Sequence, residues 1–322
     1  MLITNSMQKT WQRCHKSFEY KFVRNYVPNS PPLVLKRGKW LHELLEAHYV
    51  HGNWKKRHKQ LTKEFNTLFE EEREMYGDLP GVCERIMEAY VYNYRKEDKG
   101  ITVVAAEEVI EIPMPHGHTM QFKFDMILED EYGVWLGEHK SHRNYPSAEY
   151  RFIDSQTAKY VWGLNKLKKY GKITGIWWNY LRTVPPTKPK LNKDGTLSKR
   201  KINTDLFTFV RALKEYGLDP SDYRDVLLRL KQGSTFFKRD RVPVTPDVSK
   251  TLVKEMVLVA DEIERGVDAV RSVSPDCVRC PYMQPCLTSL YGGDEAMILK
   301  ARFREGNAED YYAFDSTLEE VV

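Results

Sequence analysis

Four cysteines near the two ends of the chain constrain its fold more than any other feature. Cys277, Cys280 and Cys286 form a C-x2-C-x5-C motif near the C-terminus, and Cys14 stands alone near the N-terminus. Thiolates separated by two residues can bind one metal centre, and a remote fourth thiolate can complete its ligand shell. Five cysteines in 322 residues are too few and too uneven for a disulfide framework. We therefore predict a metal or iron–sulfur centre that joins Cys14 to residues 275–290.

Composition places the chain among globular proteins. Hydrophobic residues make up 41% and charged residues 30% of the sequence, which is not typical of a disordered chain. No apolar run approaches the roughly 20 residues that cross a bilayer, and the opening segment lacks the apolar stretch of a signal peptide. We expect a cytoplasmic protein that does not contact a membrane.

The segment at about 182–204 is strongly basic. It carries seven Lys or Arg residues and one acid, Asp194. Such a segment can be a solvated loop, or a flexible arm that neutralises nucleic-acid phosphates. Charge alone does not distinguish the two interpretations.

Hydrophobic periodicity predicts a single α/β domain over residues 1–290, with a helical insertion at about 39–98. An acidic, patternless and mobile tail is expected over 291–322. Helices are predicted at about 7–26, 39–52, 54–95 (with a break near 77–81), 154–169, 204–216, 221–232 and 248–271. Strands are predicted at 101–112, 121–128, 134–140, 172–181 and 234–245.

A hairpin in the middle of the chain carries two carboxylates. Alternation puts Asp125 on the face opposite Phe122 and Phe124, and a turn at residues 131–132 pairs Asp125 with Glu138. The same register pairs Lys123 with Lys140. Directly paired residues have Cβ atoms about 4.5–5.5 Å apart, so both carboxylates can reach one cation.

Two carboxylates and a lysine suit phosphodiester hydrolysis. Magnesium or manganese prefers carboxylate oxygen, and it can activate a water and neutralise charge on phosphorus. Lys140, on the same face as Glu138, can orient the water or stabilise developing charge. The alternative is a charged, solvated face on an edge hairpin, because E-x-K occurs often by chance.

Further motifs flank this hairpin. His42 follows Gly38 in a G-x3-H motif, and Gln156 and Tyr160 lie one helical turn apart as Q-x3-Y. The ordered set of G-x3-H, D, E-x-K and Q-x3-Y, enclosed by the four cysteines, resembles the RecB-like branch of the PD-(D/E)XK nucleases. It is most similar to the iron–sulfur members, the AddB nuclease domain and the CRISPR-associated RecB-like exonucleases, phage-encoded versions included.

This resemblance implies a restriction-endonuclease-like α/β core, in which helices flank a mixed central sheet, with helical insertions and a C-terminal iron–sulfur segment. Lys140 would be the catalytic lysine, while Gln156 and Tyr160 would position the DNA strand and the carboxylates. No proline precedes Asp125, although the family name expects one. The implied magnesium or manganese ligands are His42, Asp125, Glu138 and the main-chain carbonyl of His139.

The resemblance also favours a structural [4Fe–4S] cluster on Cys14, Cys277, Cys280 and Cys286, whereas spacing alone would slightly favour zinc. It implies a DNA exonuclease acting on single-stranded DNA or free ends in recombination, repair or phage DNA metabolism. The setting would be bacterial cytosol, including that of a phage-infected host, with a recombination or replication protein as a possible partner. The alternatives are an endonuclease on the same fold and an iron–sulfur DNA-binding protein without catalysis.

Aromatic and basic residues on two later strands are candidate DNA contacts. Single strands are held by stacking aromatics and positive charge. The candidates are Trp177, Lys238, Arg239 and Arg241.

Overall fold

The structure, a computed structural model, describes residues 1–147, 149, 151, 154–199, 203–266, 268–307 and 310. Its helices are α1 (Asn5–Arg13), α2 (His15–Phe18), α3 (Leu33–Tyr49), α4 (Trp54–Asn66), α5 (Glu70–Tyr76), α6 (Leu79–Tyr94), α7 (Ser155–Leu167), α8 (Leu206–Glu215), α9 (Arg224–Lys231), α10 (Pro246–Glu264), α11 (Met283–Leu290) and α12 (Glu295–Arg302). Its strands are β1 (Leu2–Ile3), β2 (Tyr26–Pro28), β3 (Thr102–Ala106), β4 (Val109–Pro113), β5 (Thr119–Lys123), β6 (Met126–Asp130), β7 (Gly133–His142), β8 (Ile173–Arg182), β9 (Phe237–Pro243) and β10 (Phe303–Glu305). Within these ranges no helix has the length and apolarity needed to span a bilayer.

A five-stranded mixed sheet forms the centre of the fold, in the order β3-β6-β7-β8-β9. β7 and β8 run parallel, and the other neighbours are antiparallel. β7 and β8 are the longest strands and are buried almost throughout, as expected for central strands that are covered on both faces. The predicted mixed sheet is confirmed.

Helices cover both faces of this sheet, because each face carries apolar side chains. On one face Leu136 and Trp178 belong to the core shared with α1, α7 and α10. On the other face Trp135 and Trp177 form a cluster against Tyr49 at the end of α3. Helices α3, α4 and α6 surround a second core, which includes the fully buried Cys83. The mixed sheet therefore lies between two helical layers.

Two strands expected from the sequence are each divided between sheets. A break at Glu107 separates β3 from β4, and a break at Phe124–Asp125 separates β5 from β6. β4 and β5 form a second sheet with β1. The predicted pairing of Lys123 with Lys140 is therefore wrong, since Lys123 pairs with Val109 of β4.

The C-terminal segment is more ordered than the tail expected over 291–322. Helix α12 is followed by β10, which pairs antiparallel with β2. Leu299 and Phe303 are buried against Tyr20 and Tyr282, so apolar packing fixes this part of the segment. Residues 308, 309 and 311–322 lie outside the described residues.

Candidate active site

Asp125 and Glu138 are brought together where β6 and β7 begin to pair. Asp125 immediately precedes β6, and Glu138 follows Gly137, the β7 partner of Met126. Both side chains line one cleft of about 800 Å³, together with His42, Gln156 and Tyr160. The register predicted from the turn at residues 131–132 therefore holds for the two carboxylates.

Asp125 is held from two sides. Its Oδ2 accepts a hydrogen bond from the main-chain N–H of His139 at 2.7 Å, and its Oδ1 lies 3.3 Å from Nδ1 of His42. Burial opposes charge on both partners, yet the Asp125 carboxylate raises the pKa of His42 to about 9. Despite burial, His42 and the His139 N–H hold the pKa of Asp125 well below its usual range. The two side chains form a charged pair at neutral pH.

Glu138 and Lys140 form a buried, closely spaced pair beside Asp125. Their side chains are 5% and 2% exposed, and Nζ of Lys140 lies 2.9 Å from Oε1 of Glu138. Burial raises the pKa of Glu138 to about 8. The Lys140 ammonium opposes this shift, and the nearby Asp125 carboxylate adds to it. A carboxylate with such a pKa lacks sufficient positive charge around it, a property common in functional sites.

Helix α7 supplies the next contacts. Lys140 Nζ donates to Oε1 of Gln156 at 3.5 Å, and Nε2 of Gln156 donates to the Tyr160 hydroxyl at 3.3 Å. The Tyr160 ring stacks on Phe122 with centroids 4.2 Å apart. The Q-x3-Y residues therefore lie on one helical face and connect the lysine to the core.

His139 points to the opposite face of the sheet, into the second helical layer. Nδ2 of Asn179 donates to its Nδ1 at 2.7 Å, and its ring stacks on Tyr49 with centroids 5.7 Å apart. Burial lowers the pKa of His139 to about 3, so the ring is neutral. Arg239 donates to the hydroxyls of Tyr49 and Tyr90. This buried network supports β7 directly behind the cleft.

Two of the predicted DNA contacts belong to this buried network. Trp177 is 0% exposed, and the Arg239 side chain is 4% exposed and paired with Asp98 at 2.7 Å. Neither offers a surface to nucleic acid, so the expectation does not hold for them; alternation along β8 and β9 turns both inward. Lys238 and Arg241 are partly exposed and remain predictions, although Arg241 is paired with Asp130.

Several cleft residues were not predicted from the sequence. Glu107 and Lys123 form an ion pair that lines the cleft next to Asp125. Lys56 and Gln60 of α4 line another wall. The available signals were two adjacent glutamates inside a predicted strand and the basic run that opens α4. The glutamates are informative because charged residues are depleted from strand interiors.

The side chains in the cleft suit a hard divalent cation. Among the described residues, no three His, Cys, Asp or Glu side chains come together as a preformed metal site. The cleft lining nevertheless includes the His42 imidazole and the Asp125 and Glu138 carboxylates, the ligand chemistry that magnesium and manganese accept. A cation there would offset the unfavourable charge on buried Glu138. The residues therefore fit such a metal.

The four predicted cysteines line one separate cavity of about 170 Å³. Cys14 is the residue at which α1 ends and α2 begins, and the other three surround the start of α11. The main-chain N–H of Ser272 donates to Sγ of Cys14 at 3.5 Å, and that of Ser274 donates to Sγ of Cys277 at 3.5 Å. Such N–H···S contacts are typical of metal-bound thiolates. All four cysteines are free thiols, so the group fits a thiolate-bound centre.

Comparison with known proteins identifies the family. Ten solved chains match. One of them, "Crystal structure of SSO0001", shares 12% identity over 86% of this chain and 91% of that chain, with a TM-score of 0.28. No curated protein matches. The sequence model of the PD-(D/E)XK nuclease superfamily matches residues 4–287. The chain therefore belongs to the PD-(D/E)XK nuclease superfamily.

Proposed function

We propose that the protein is a magnesium- or manganese-dependent DNA exonuclease of the RecB-like branch, acting on single strands or free ends in recombination, repair or phage DNA metabolism. The observation that carries the proposal is the buried Glu138–Lys140 pair beside Asp125 in the floor of a cleft. A pair with a purely structural role can form anywhere in a fold, whereas catalytic groups must lie where a phosphodiester can reach them. A cytoplasmic location, where thiols stay reduced, agrees with the free cysteines.

The chain's own residues divide into three roles. His42, Asp125, Glu138 and the His139 carbonyl would hold the cation. When bound, the cation would neutralise phosphate charge and lower the pKa of a water. Lys140 would donate to the attacking water or to a phosphate oxygen, and its contact with Gln156 restricts its position. Tyr160 holds Gln156 through its hydroxyl and its stack on Phe122.

The cysteine cavity would hold a [4Fe–4S] cluster, with structural zinc as the alternative. Either centre would tie the α1–α2 junction to the start of α11. The free energy of binding would be folding free energy, because an open chain has no such site.

The test is digestion of end-labelled linear DNA and closed circular DNA with Mg²⁺, with Mn²⁺ and with EDTA. Wild-type protein is expected to degrade linear DNA only when metal is present, and Glu138→Gln and Lys140→Met to lose activity at least 100-fold. Glu129→Gln, a change of an exposed carboxylate on β6, is the matched control. Cleavage of circular DNA would instead indicate an endonuclease. DNA binding without cleavage in every metal would support the non-catalytic alternative.

A further inference from the structure

Helix α4 forms a wall of the cleft and has two chemically distinct faces. Trp54, Leu61 and Phe65 are buried in the core of the second helical layer. The rest of the helix carries Lys55, Lys56, Arg57, Lys59 and Lys63 against one acid, Glu64. The buried face fixes the position of the helix, so the basic residues are presented at a fixed place on the surface.

Three of these lysines form a stripe along the helix. Lys56, Lys59 and Lys63 are spaced by three and four residues, so they share one face, and all three are exposed. None of them forms an ion pair with an acid in the part of the chain that the structure describes. Arg57 differs, because it is paired with Glu43. The stripe is therefore positive charge that the fold itself does not neutralise.

The stripe extends away from the proposed catalytic groups. Lys56 and Gln60 line the same cleft as Asp125 and Glu138, and Lys63 lies about 10 Å further along the helix at 1.5 Å per residue. The three lysines are therefore about 4.5 and 6 Å apart along the helix axis. Flexible lysine side chains at this spacing can contact consecutive phosphates of one strand.

The carboxylates that line the cleft favour such a stripe. Besides Asp125 and Glu138, the cleft is lined by Glu43, Glu46, Glu64 and Glu107. These carboxylates repel a polyanion, so a strand needs positive charge at the rim in order to enter. The basic loop at 182–204 does not supply this charge at the cleft, since none of its described residues lines it.

We infer that Lys56, Lys59 and Lys63 bind successive backbone phosphates of the DNA strand that enters the cleft. This inference rests on the proposed function, and it assigns the strand-holding surface to α4 instead of the basic loop. Lys188 of that loop is already paired with Glu215 at 2.6 Å. The lysines act as point charges, so binding is independent of base sequence and falls with salt.

The test compares two triple variants of equal charge loss in the full chain. One is Lys56→Gln, Lys59→Gln, Lys63→Gln; the other is Lys188→Gln, Lys190→Gln, Lys193→Gln in the loop. Anisotropy of a fluorescent single-stranded oligonucleotide in EDTA, at several salt concentrations, gives affinity and its salt slope without cleavage. The α4 variant is expected to bind at least tenfold more weakly, with a slope smaller by about 2, or roughly 0.7 for each phosphate that is no longer neutralised. The loop variant should match wild type.

A loop variant that loses as much slope as the α4 variant, or an α4 variant that binds like wild type, overturns the inference. Thermal melting checks that both variants fold. A parallel digestion with Mn²⁺ separates the two proposals. If wild type does not cleave DNA but the α4 variant still loses its slope, the phosphate surface is supported and the nuclease proposal fails. If wild type cleaves DNA and the α4 variant binds normally, only the α4 inference fails.

Discussion

The main-chain N–H of His139 donates to Oδ2 of Asp125 across 2.7 Å. His139, the residue between Glu138 and Lys140, therefore also orients the Asp125 carboxylate. Its ring, on the opposite face of the sheet, is held by Asn179 at 2.7 Å. The position of Asp125 thus depends on a hydrogen bond made behind the sheet.

Asn179→Ala is expected to lower kcat about tenfold and to change KM little. The substitution leaves Nδ1 of His139 buried without its donor, so β7 can shift and Asp125 is less well oriented. The lost buried hydrogen bond should also cost about 1–3 kcal/mol of unfolding free energy. Steady-state digestion kinetics and urea unfolding measure the two effects.

Asn165→Ala is the matched control for that variant. Asn165 makes two hydrogen bonds with the backbone of Ile173, at 2.8 and 3.0 Å, and it is not among the residues that line the cleft. It should lose similar stability and keep its kcat. Equal kcat losses in the two variants would mean that stability alone, not orientation of Asp125, explains the effect.

Metal affinity is expected to rise steeply with pH. The pKa of His42 is raised to about 9, against burial, by Asp125, and the pKa of Glu138 is raised to about 8, chiefly by burial. At pH 7 both groups are protonated without metal, and coordination must release those protons. Mn²⁺ affinity should increase roughly tenfold per pH unit for each proton released, up to about pH 9. Calorimetry in buffers of different ionisation enthalpy counts the protons; no release at pH 7 would contradict this site.

The same two groups, His42 and Glu138, make the stability of the metal-free protein depend on pH. Raised pKa values mean that the folded state binds more protons than the unfolded state, through about pH 6.5–9 for His42 and from about pH 4.3 to 8 for Glu138. Stability must then fall as the pH rises through these windows. The melting temperature in EDTA should be lower at pH 9 than at pH 6.5. Saturating Mn²⁺ should reduce this difference, because the metal binds the deprotonated side chains.

Loss of one thiol from the cysteine cavity is expected to release the whole centre. Cys280→Ser should abolish visible absorbance near 400 nm (the rough region of thiolate-bound iron) and lower the melting temperature. Cys83→Ala is the control, since Cys83 is buried among helices and does not line the cavity. If anaerobically purified wild-type protein is colourless and contains zinc, the centre is a zinc site and not an iron–sulfur cluster. Wild-type protein without iron or zinc would exclude both centres.

The predicted turn gave the register of β6 and β7, but alternation did not predict which side chains share a face, since Phe122 and Phe124 pack in the same core as Ile127 and Leu136. The short turn at residues 131–132 fixes the pairing, so Asp125 and Glu138 could be placed opposite each other from local pattern alone. Lys123 could not, because its strand turns away at Phe124 to pair with β4. That choice depends on packing of Phe122 under Tyr160, a contact between residues far apart in sequence.

Burial of charged residues was equally hard to predict. Arg239 lies in a basic, polar strand, yet Asp98 and three aromatic rings, of Tyr90, Tyr94 and Trp177, surround it. These partners come from three other elements, so no local pattern reveals them. The α4 wall is the opposite case: its basic composition is visible in the sequence, but only the fold places it at the cleft.

Asp98 is expected to stabilise the fold only above acidic pH. Burial would raise its pKa, but His48 and Arg239 hold the pKa below its usual range. Its contribution is therefore complete above the ordinary value near 4 and lost as the pH falls through the lowered one. Asp98→Asn should cost on the order of 3 kcal/mol at pH 7, because Arg239 stays buried without this partner, and the cost should shrink toward pH 3. Urea unfolding across this pH range measures the cost, with exposed Asp225→Asn as the control. A loss of unfolding free energy that stays constant with pH would contradict the prediction.

Glu107 combines backbone strain with a position in the cleft. Its φ is 55°, in the left-handed region that favours glycine. Its N–H donates to the main-chain carbonyl of Asp125 at 3.1 Å, and its carboxylate pairs with Lys123. Burial and the nearby Asp125 raise the pKa of Glu107 to about 7. Both the backbone and the carboxylate are thus in unfavourable states, as is common where function is selected over stability.

Glu107→Gly is therefore expected to increase unfolding free energy by about 1 kcal/mol while lowering nuclease activity, because Lys123 loses the partner that fixes it beside Asp125. Lys168→Gly provides the comparison, since Lys168 has φ 60° at the exposed C-terminus of α7. It should gain similar stability with unchanged activity. Urea unfolding and the digestion assay decide the matter: a Glu107→Gly variant with full activity would show that the strained residue does not serve catalysis, and the ion pair with Lys123 would then be dispensable.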